Sequence, residues 1–330
     1  MSRIVTLDQI KQILPTLDLV PIIEQGFAAY SQGLCVVPPV GELTFQDPPA
    51  DVHIKYGYIK DDDFYLVKIA SGFYDNPKQG LPSSNGLMLL FSSHTGELVA
   101  TLLDEGYLTD VRTGVAGAIA AKHLAPKDVE CIGMVGTGTQ ARMQLRYLAP
   151  VIDCRKLQIL GRTRDAVDSF REYAQTLGFE VSIASSGGEI VNSCNLVVTA
   201  TASAAPLLDL EHYSGNGLHI TAVGSDTPEK QELTERSMLR ADLVVADSQA
   251  QCESRGEIHH AIEAGLISID DTVELGKIII GDAPGRENDR QLSICDLTGV
   301  AVQDIQIAKA VYRNGVIEMG LEMGLEMGSE

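Results

Sequence analysis

The stretch Cys131–Ala141, CIGMVGTGTQA, constrains this chain more than any other: an apolar strand runs into Gly136-Thr137-Gly138-Thr139-Gln140-Ala141 and then into a helical pattern over 142–149. In such a unit the first glycine permits a tight turn and the second lets backbone approach a pyrophosphate. The small Ala141 lets the helix lie near its strand, and the helix N-terminus faces the phosphates. A GxGxxG-like pattern alone is a weak signal, and a plain glycine turn is the alternative; here the flanking strand and helix are both present. Strands are expected at 131–135, 156–160, 180–184, 195–200, 218–223 and 242–246, with helices at 139–149, 164–177 and 187–193. Alternation of this kind specifies a doubly wound parallel sheet.

The loop after the second strand, Lys156–Leu160, selects the nucleotide. It reads Gly161-Arg162-Thr163-Arg164, where NAD-selective sites usually carry an acid. Two guanidiniums and a hydroxyl suit a 2′-phosphate, which an acid would repel. NADPH is therefore the expected cofactor, with NADH tolerated. The competing reading makes Arg162 and Arg164 ordinary surface cations, one of them neutralised by Asp165.

Residues 1–125 read differently. A helix is expected at 7–31, followed by strands at 52–59, 64–71, 86–92 and 98–104 joined by Gly, Pro and Asn turns, an antiparallel sheet whose inner face would receive a substrate. The alanine-rich helix 108–125, LTDVRTGVAGAIAAKHLA, carries the chain onward, and a last helix at 299–313 precedes a short repeat, MGLEMGLEMG, to which no chemistry is assigned.

With 330 residues, 45% of them hydrophobic, there is ample core for two domains. No apolar run has the length of a membrane span and no signal peptide is evident, so a cytoplasmic protein is expected. The six cysteines form no CxxC and lack nearby histidine partners, which argues against a zinc site and a disulfide framework, and a net charge of −20 argues against nucleic acid.

Three charged residues interrupt runs that otherwise favour burial: Lys68 in FYLVKIASGF, Arg112 in TDVRTGVAGA and Asp226 in ITAVGSDTPEK. A buried ammonium needs a wet cavity or an anion, so Lys68 is expected to face one or the other. The Arg112 fork suits a carboxylate or phosphate, and Asp226 follows a strand at its carboxyl end, where ligands collect in open α/β sheets. A surface-reaching Lys68, a merely tethering Arg112 and an Asp226 that caps its turn are the plain alternatives. No GxSxG, HExxH or Walker pattern is present.

Across nearly its whole length the chain resembles the ornithine cyclodeaminase and mu-crystallin family, through KIASGFYDNPKQGLPSSNG (68–86), LLDEGYLTDVRTGVAGAIAAKHLA (102–125), IGMVGTGTQARMQL (132–145), VGSDTPEKQEL (223–233) and GDAPGRENDRQLSICDLTGVAVQD (281–304). The resemblance implies a Rossmann-type domain, 126–299, inserted into an α+β substrate-binding and dimerisation domain made of 1–125 and about 300–330, in a homodimer. It implies that Lys68 contacts the substrate near its carboxylate, that Arg112 lies between substrate and cofactor, and that Asp226 handles protons or water at the reacting carbon. Ser83, Gly136, Gly138, Thr139, Gln140, Ala141, Arg162, Thr163, Arg164, Thr201, Val223, Gly224, Ser225, Lys230 and Thr298 would line the cofactor, together with Arg112.

The departures narrow the activity. The family arginine near residue 40 that grips the substrate carboxylate is missing from PPVGELTFQD, and Lys55 in HIKYGY is the candidate replacement; a family serine near the nicotinamide is replaced by Leu297, with Thr298 beside it. The acid that ornithine-processing members use falls near His53. The expected activity is NAD(P)H-dependent reduction of a cyclic imino acid, Δ1-pyrroline-2-carboxylate to L-proline, with the six-membered Δ1-piperideine-2-carboxylate as a further substrate. Lys68 or an adjacent water would protonate the imine, Arg112 would hold the carboxylate and Asp226 would orient Lys68 or the water. Ornithine cyclodeamination and non-catalytic NADPH binding are the alternatives.

Overall fold

The computed structural model describes residues 2–215 and 217–326, with the backbone alone from 316 onward, so the side chains of the Met/Leu repeat lie outside the described residues. The chain divides into two compact units, one made of 1–112 and 300–330, the other of 113–299.

Among the described residues the first unit contains seven strands: β1 (Arg3–Thr6), β2 (Cys35–Val36), β3 (Gly41–Phe45), β4 (Ala50–Ile59), β5 (Phe64–Phe73), β6 (Ser84–Ser92) and β7 (Leu98–Leu103). Their order is β1-β7-β6-β5-β4-β2, with β3 also on β4. The sheet is mixed, not antiparallel throughout as expected, because β1 runs parallel to β7, pairing Val5 with Leu102. Alternation along the central strands turns Leu66, Lys68, Met88, Leu90, Ala100 and Leu102 to one buried face. Helix Ala301–Glu326 packs on that face and on helix Leu19–Ser31. The helices meet closely at Gly26, where an added Cβ would lie 3.0 Å from Gln306 Cγ and 3.1 Å from the Val302 carbonyl oxygen. Helix 7–31 proves to be two: Leu7–Ile13 and Leu19–Ser31 are separated by a short 3-10 turn with Pro15 near its start and an extended Leu17. Proline lacks the N–H that a continuous helix requires there.

Among the described residues the second unit holds eight parallel strands: β8 (Ile132–Val135), β9 (Lys156–Leu160), β10 (Glu180–Ile183), β11 (Leu196–Thr199), β12 (Leu218–Ala222), β13 (Leu243–Ala246), β14 (Val273–Glu274) and β15 (Leu292–Asp296). The order β10-β9-β8-β11-β12-β15-β13-β14 reverses direction between β8 and β11, the switch point at which doubly wound sheets bind ligands. Strands β14 and β15 were not expected from the sequence, and β15 inserts between β12 and β13.

Helix Tyr107–Leu124 carries the chain from one unit into the other, and the division falls at Arg112 instead of 125. Past that point the helix belongs to the second unit for a packing reason. Gly114 brings it so close to helix Thr139–Leu148 that a Cβ would lie 2.9 Å from the Met143 carbonyl oxygen, and Gln144 Nε2 donates to the Thr113 carbonyl at 2.9 Å. Among the described residues no helix is long and apolar enough to cross a membrane, and no group of three or more His, Cys, Asp or Glu side chains is arranged to hold a metal ion.

Candidate active site

In the first unit Lys68, on the inner face of β5, is 2% exposed and forms an ion pair with Asp304 at 3.0 Å. Arg112 donates from Nε to the other Asp304 oxygen at 2.9 Å and from its terminal nitrogen to Gln303 Oε1 at 2.9 Å. Asp304 is fully buried in the first turn of helix Ala301–Glu326, where the helix dipole favours a negative charge. Burial alone would raise its pKa, but Arg112, Lys68 and Lys55 outweigh burial and the net shift is downward. For Lys68 the balance tips the other way: burial brings it down to about 8, with Asp304 offsetting part of the effect and Arg112 adding to it.

Lys55 is buried too, and the β4–β5 register sets it directly opposite Lys68. Like charges facing each other across strands repel, so this pair depends on nearby negative charge. Lys68 and Arg112 share one carboxylate with a depressed pKa, on which Lys55 also acts. Asp104, shifted upward by burial, also acts on Lys68. Lys55, Lys68 and Arg112 are thus three buried cations whose fields all act on Asp304. An anionic guest is the natural complement. His53, two residues before Lys55 on β4, lies 3.9 Å from Glu42 on β3. Ser83, exposed just before β6, accepts the Phe73 N–H through its carbonyl at 2.7 Å.

Within the first unit the ion-pair partner of Lys68 is Asp304, an acid not expected there from the sequence. Asp226 itself, in the second unit, pairs with Lys230 at 2.7 Å, one helical-turn spacing along the chain, and its carbonyl accepts from Arg255 at 3.3 Å.

The second unit gathers its candidate residues at the carboxyl ends of the strands. Gly136 has φ +113°, and a Cβ there would lie 2.5 Å from the Ala200 carbonyl oxygen, so a larger residue would force β8 and β11 apart. Gly138 is the N-cap of helix Thr139–Leu148, has no side chain over the helix end, and a Cβ on it would meet nothing within 4 Å. Gln140 stands in the first turn and Ala141 is fully buried beneath it. An uncapped helix N-terminus with open approach and a positive-φ glycine before it fits a dinucleotide pyrophosphate.

Gly161 follows β9, and a Cβ on it would lie 2.8 Å from Thr137 Cγ2, so this loop adjoins the glycine loop. Arg162, Thr163 and Arg164 are all exposed beyond it. Arg164 lies 3.7 Å from Asp168, which takes the neutralising place expected of Asp165.

Glu232 organises the next two loops and was not singled out from sequence. Fully buried, it accepts from Thr199 Oγ1 at 2.6 Å, Thr201 N at 2.6 Å, Thr201 Oγ1 at 2.7 Å and Gly224 N at 2.8 Å. Buried Glu257 in turn accepts from the backbone N–H groups of Glu232 and Leu233 at 2.7 and 3.0 Å. Burial and repulsion from Glu232 push Glu257 up to about 8. Beside these loops Val223 is buried, and Ser225 donates to the Lys230 carbonyl. Thr298 is buried after β15, donating to Asp247 at 2.8 Å and accepting from Gln251 at 2.9 Å. The one sequence signal for Glu232 was its place in VGSDTPEKQEL, and for Asp304 its place in GDAPGRENDRQLSICDLTGVAVQD.

The model of the ornithine cyclodeaminase/mu-crystallin family matches residues 2–317. The chain belongs to that family. It is 42% identical over 315 residues to an uncharacterized cyclodeaminase of Sinorhizobium fredii, covering 94% of this chain and 95% of that one. Among solved structures, a Δ1-pyrroline-2-carboxylate reductase of Thermococcus litoralis in complex with NADH and L-proline aligns with a TM-score of 0.89 and 26% identity, covering 96% of this chain and 98% of that one. An iminosuccinate reductase of Paracoccus denitrificans in complex with NAD+ aligns with a TM-score of 0.88 and 31% identity, covering 97% of each chain. The expected α/β class with a Rossmann-type parallel sheet is thus shown by the fold and by its neighbours.

Proposed function

We propose that this protein is an NAD(P)H-dependent imine reductase that converts Δ1-pyrroline-2-carboxylate to L-proline. The carrying observation is the buried group Lys55, Lys68 and Arg112, the last two paired with Asp304, in a chain that also has a dinucleotide loop. Arg112 and Lys55 bind the substrate carboxylate, Arg112 presenting a planar fork whose orientation Asp304 and Gln303 fix. Lys68 protonates the imine nitrogen, which makes the carbon of the C=N bond electrophilic. A lysine brought down to about 8 gives up a proton at neutral pH far more readily than an ordinary one. Asp226 keeps its proposed role of orienting water. The nicotinamide supplies the hydride when bound. Gly136, Gly138, Thr139, Gln140 and Ala141 hold its pyrophosphate, and Arg162, Thr163 and Arg164 favour NADPH while admitting NADH. Ser83, Thr201, Val223, Gly224, Ser225, Lys230 and Thr298 complete the proposed cofactor contacts.

The likeness to iminosuccinate reductase favours a second reading, a dicarboxylic imino acid as substrate, for which buried Lys55, opposite Lys68, would be an additional cation. A homodimer formed across the outer face of the first sheet fits the exposure there of Ile4, Tyr56, Tyr58 and Leu103.

The test is oxidation of NADPH and of NADH by the purified protein with Δ1-pyrroline-2-carboxylate, its six-membered homologue, and the imine formed from oxaloacetate and ammonia. Ornithine is assayed for ammonia release. Net NADPH oxidation with the five-membered ring imine and formation of L-proline is the expected result. Preference for the oxaloacetate-derived imine would establish the second reading, and ammonia release from ornithine without net cofactor oxidation would overturn both.

A further inference from the structure

Away from the glycine loop, at the amino ends of two neighbouring parallel strands, the second unit brings two thiols together. Cys131 immediately precedes β8, and Cys194 closes the helix Gly187–Ser193 just before β11; the strands pair through Ile132 and Leu196. The sulfurs are 3.5 Å apart, with the Cys194 thiol also 3.6 Å from Gln158 Oε1, and Gln158 is itself held by Glu189 at 2.9 Å. Cys131 is half-buried, whereas Cys194 is buried. Nothing in the proposed reduction uses either sulfur.

We propose that Cys131 and Cys194 form a redox-active dithiol that hydrogen peroxide or an organic hydroperoxide closes to a disulfide, Cys131 reacting first and Cys194 resolving. A disulfide needs the sulfurs at about 2.05 Å, so each has to move by less than about 1 Å, within reach of side-chain rotation. The assignment of roles follows from the hydrogen bond between them: accepting it lowers the pKa of Cys131, and donating it raises that of Cys194. The thiolate is the nucleophile in peroxide chemistry, and exposure decides which thiol meets the oxidant. The Cys131 sulfur attacks one peroxide oxygen and the O–O bond breaks. The departing hydroxide (or alkoxide) takes the Cys131 proton, leaving Cys131 as the sulfenic acid. The Cys194 sulfur then attacks Cys131, the S–O bond breaks, and hydroxide leaves with the Cys194 proton as water. Two thiols lose two electrons in total and one peroxide gains them, giving one disulfide and two waters (one water and one alcohol for a hydroperoxide).

Cys154, also half-buried and close enough to feel the charge of Cys131, is the competing partner. The full-length reduced protein is treated with stoichiometric hydrogen peroxide, its remaining thiols are alkylated, and its peptides are mapped by mass spectrometry. The expected result is a loss of two hydrogens with a Cys131–Cys194 linked peptide, unchanged in a Cys154→Ser protein and reversed by dithiothreitol. A Cys194→Ser protein should instead be trapped at Cys131 by dimedone. Six alkylated thiols after peroxide, a Cys131–Cys154 link, or Cys131 sulfinic acid without any link would each overturn the proposal. The wild-type map decides the matter even if a variant fails to fold.

Discussion

Replacing Asp304 with Asn tests the electrostatic argument at its centre. The substitution preserves side-chain volume and removes one negative charge from a fully buried position where Lys68 Nζ lies at 3.0 Å and Arg112 Nε at 2.9 Å. Breaking a buried ion pair by removing one partner destabilises by about 3–5 kcal/mol, because the surviving charge stays buried. Here two charges survive, and Lys55 adds its field, so the upper part of that range applies. A unit of this size loses on the order of 2–4 °C per kcal/mol, giving a fall of roughly 10 °C or more in the unfolding temperature of the first unit. The change also removes the interaction that supports the charged form of Lys68, so its pKa should drop further below about 8. The alkaline limb of the pH–rate profile would then move to lower pH. Thermal unfolding followed by circular dichroism, with rate profiles for both proteins, measures the two effects. An Asp304→Ala protein should regain stability in formate, a small carboxylate that can enter the vacated place, but not in an equal concentration of a neutral amide. An Asp304→Asn protein with unchanged unfolding temperature and an unshifted limb would refute the reasoning.

In the unsubstituted enzyme the protonated form of Lys68 is the proposed donor, so kcat should be level below about 8 and fall as pH rises through that value, and Lys68→Arg should abolish that limb. Arg162→Ala should raise KM for NADPH by about tenfold, the effect of losing one charge-assisted hydrogen bond, with little change for NADH, as measured by initial rates with both cofactors. Glu257 has a folded pKa raised from its ordinary 4.5 to about 8, so between those values the unfolded chain ionises first and the second unit should lose stability as pH rises. Glu257→Gln should flatten that slope in melts from acid to mildly alkaline pH. Gly136→Ala should cut dinucleotide affinity at least tenfold in fluorescence titrations, because of the positive φ and the 2.5 Å approach to Ala200.

The central parallel strands were legible because both of their faces are covered: Ile132–Val135 and Leu196–Thr199 are buried at every position and read as short runs with no charged residue. Strand β15 escaped notice although it is equally buried, because Ser293 and Asp296 make LSICD look like a loop. The short strands β1 and β2 carry too few residues for a period to show, and β3 is exposed at four of its five positions. Lys68 and Arg112 stood out because a charge inside an apolar segment is rare. Their counter-ion did not. Asp304 sits in a helix whose polar residues Gln303, Gln306 and Lys309 suggest a wet face, yet all of them are buried, and only tertiary packing shows it.

The return of helix Ala301–Glu326 to the first unit has a bearing on how the polypeptide is made. Asp304 follows Arg112 by 192 positions, so a ribosome has emitted the entire second unit before the acid that neutralises Lys68 and Arg112 leaves the exit tunnel. Until then Lys68 on its strand and Arg112 on the helix that follows the sheet lack the acid they pair with, and the first unit has to wait, incomplete and hydrated, while the later-made unit is free to fold ahead of it.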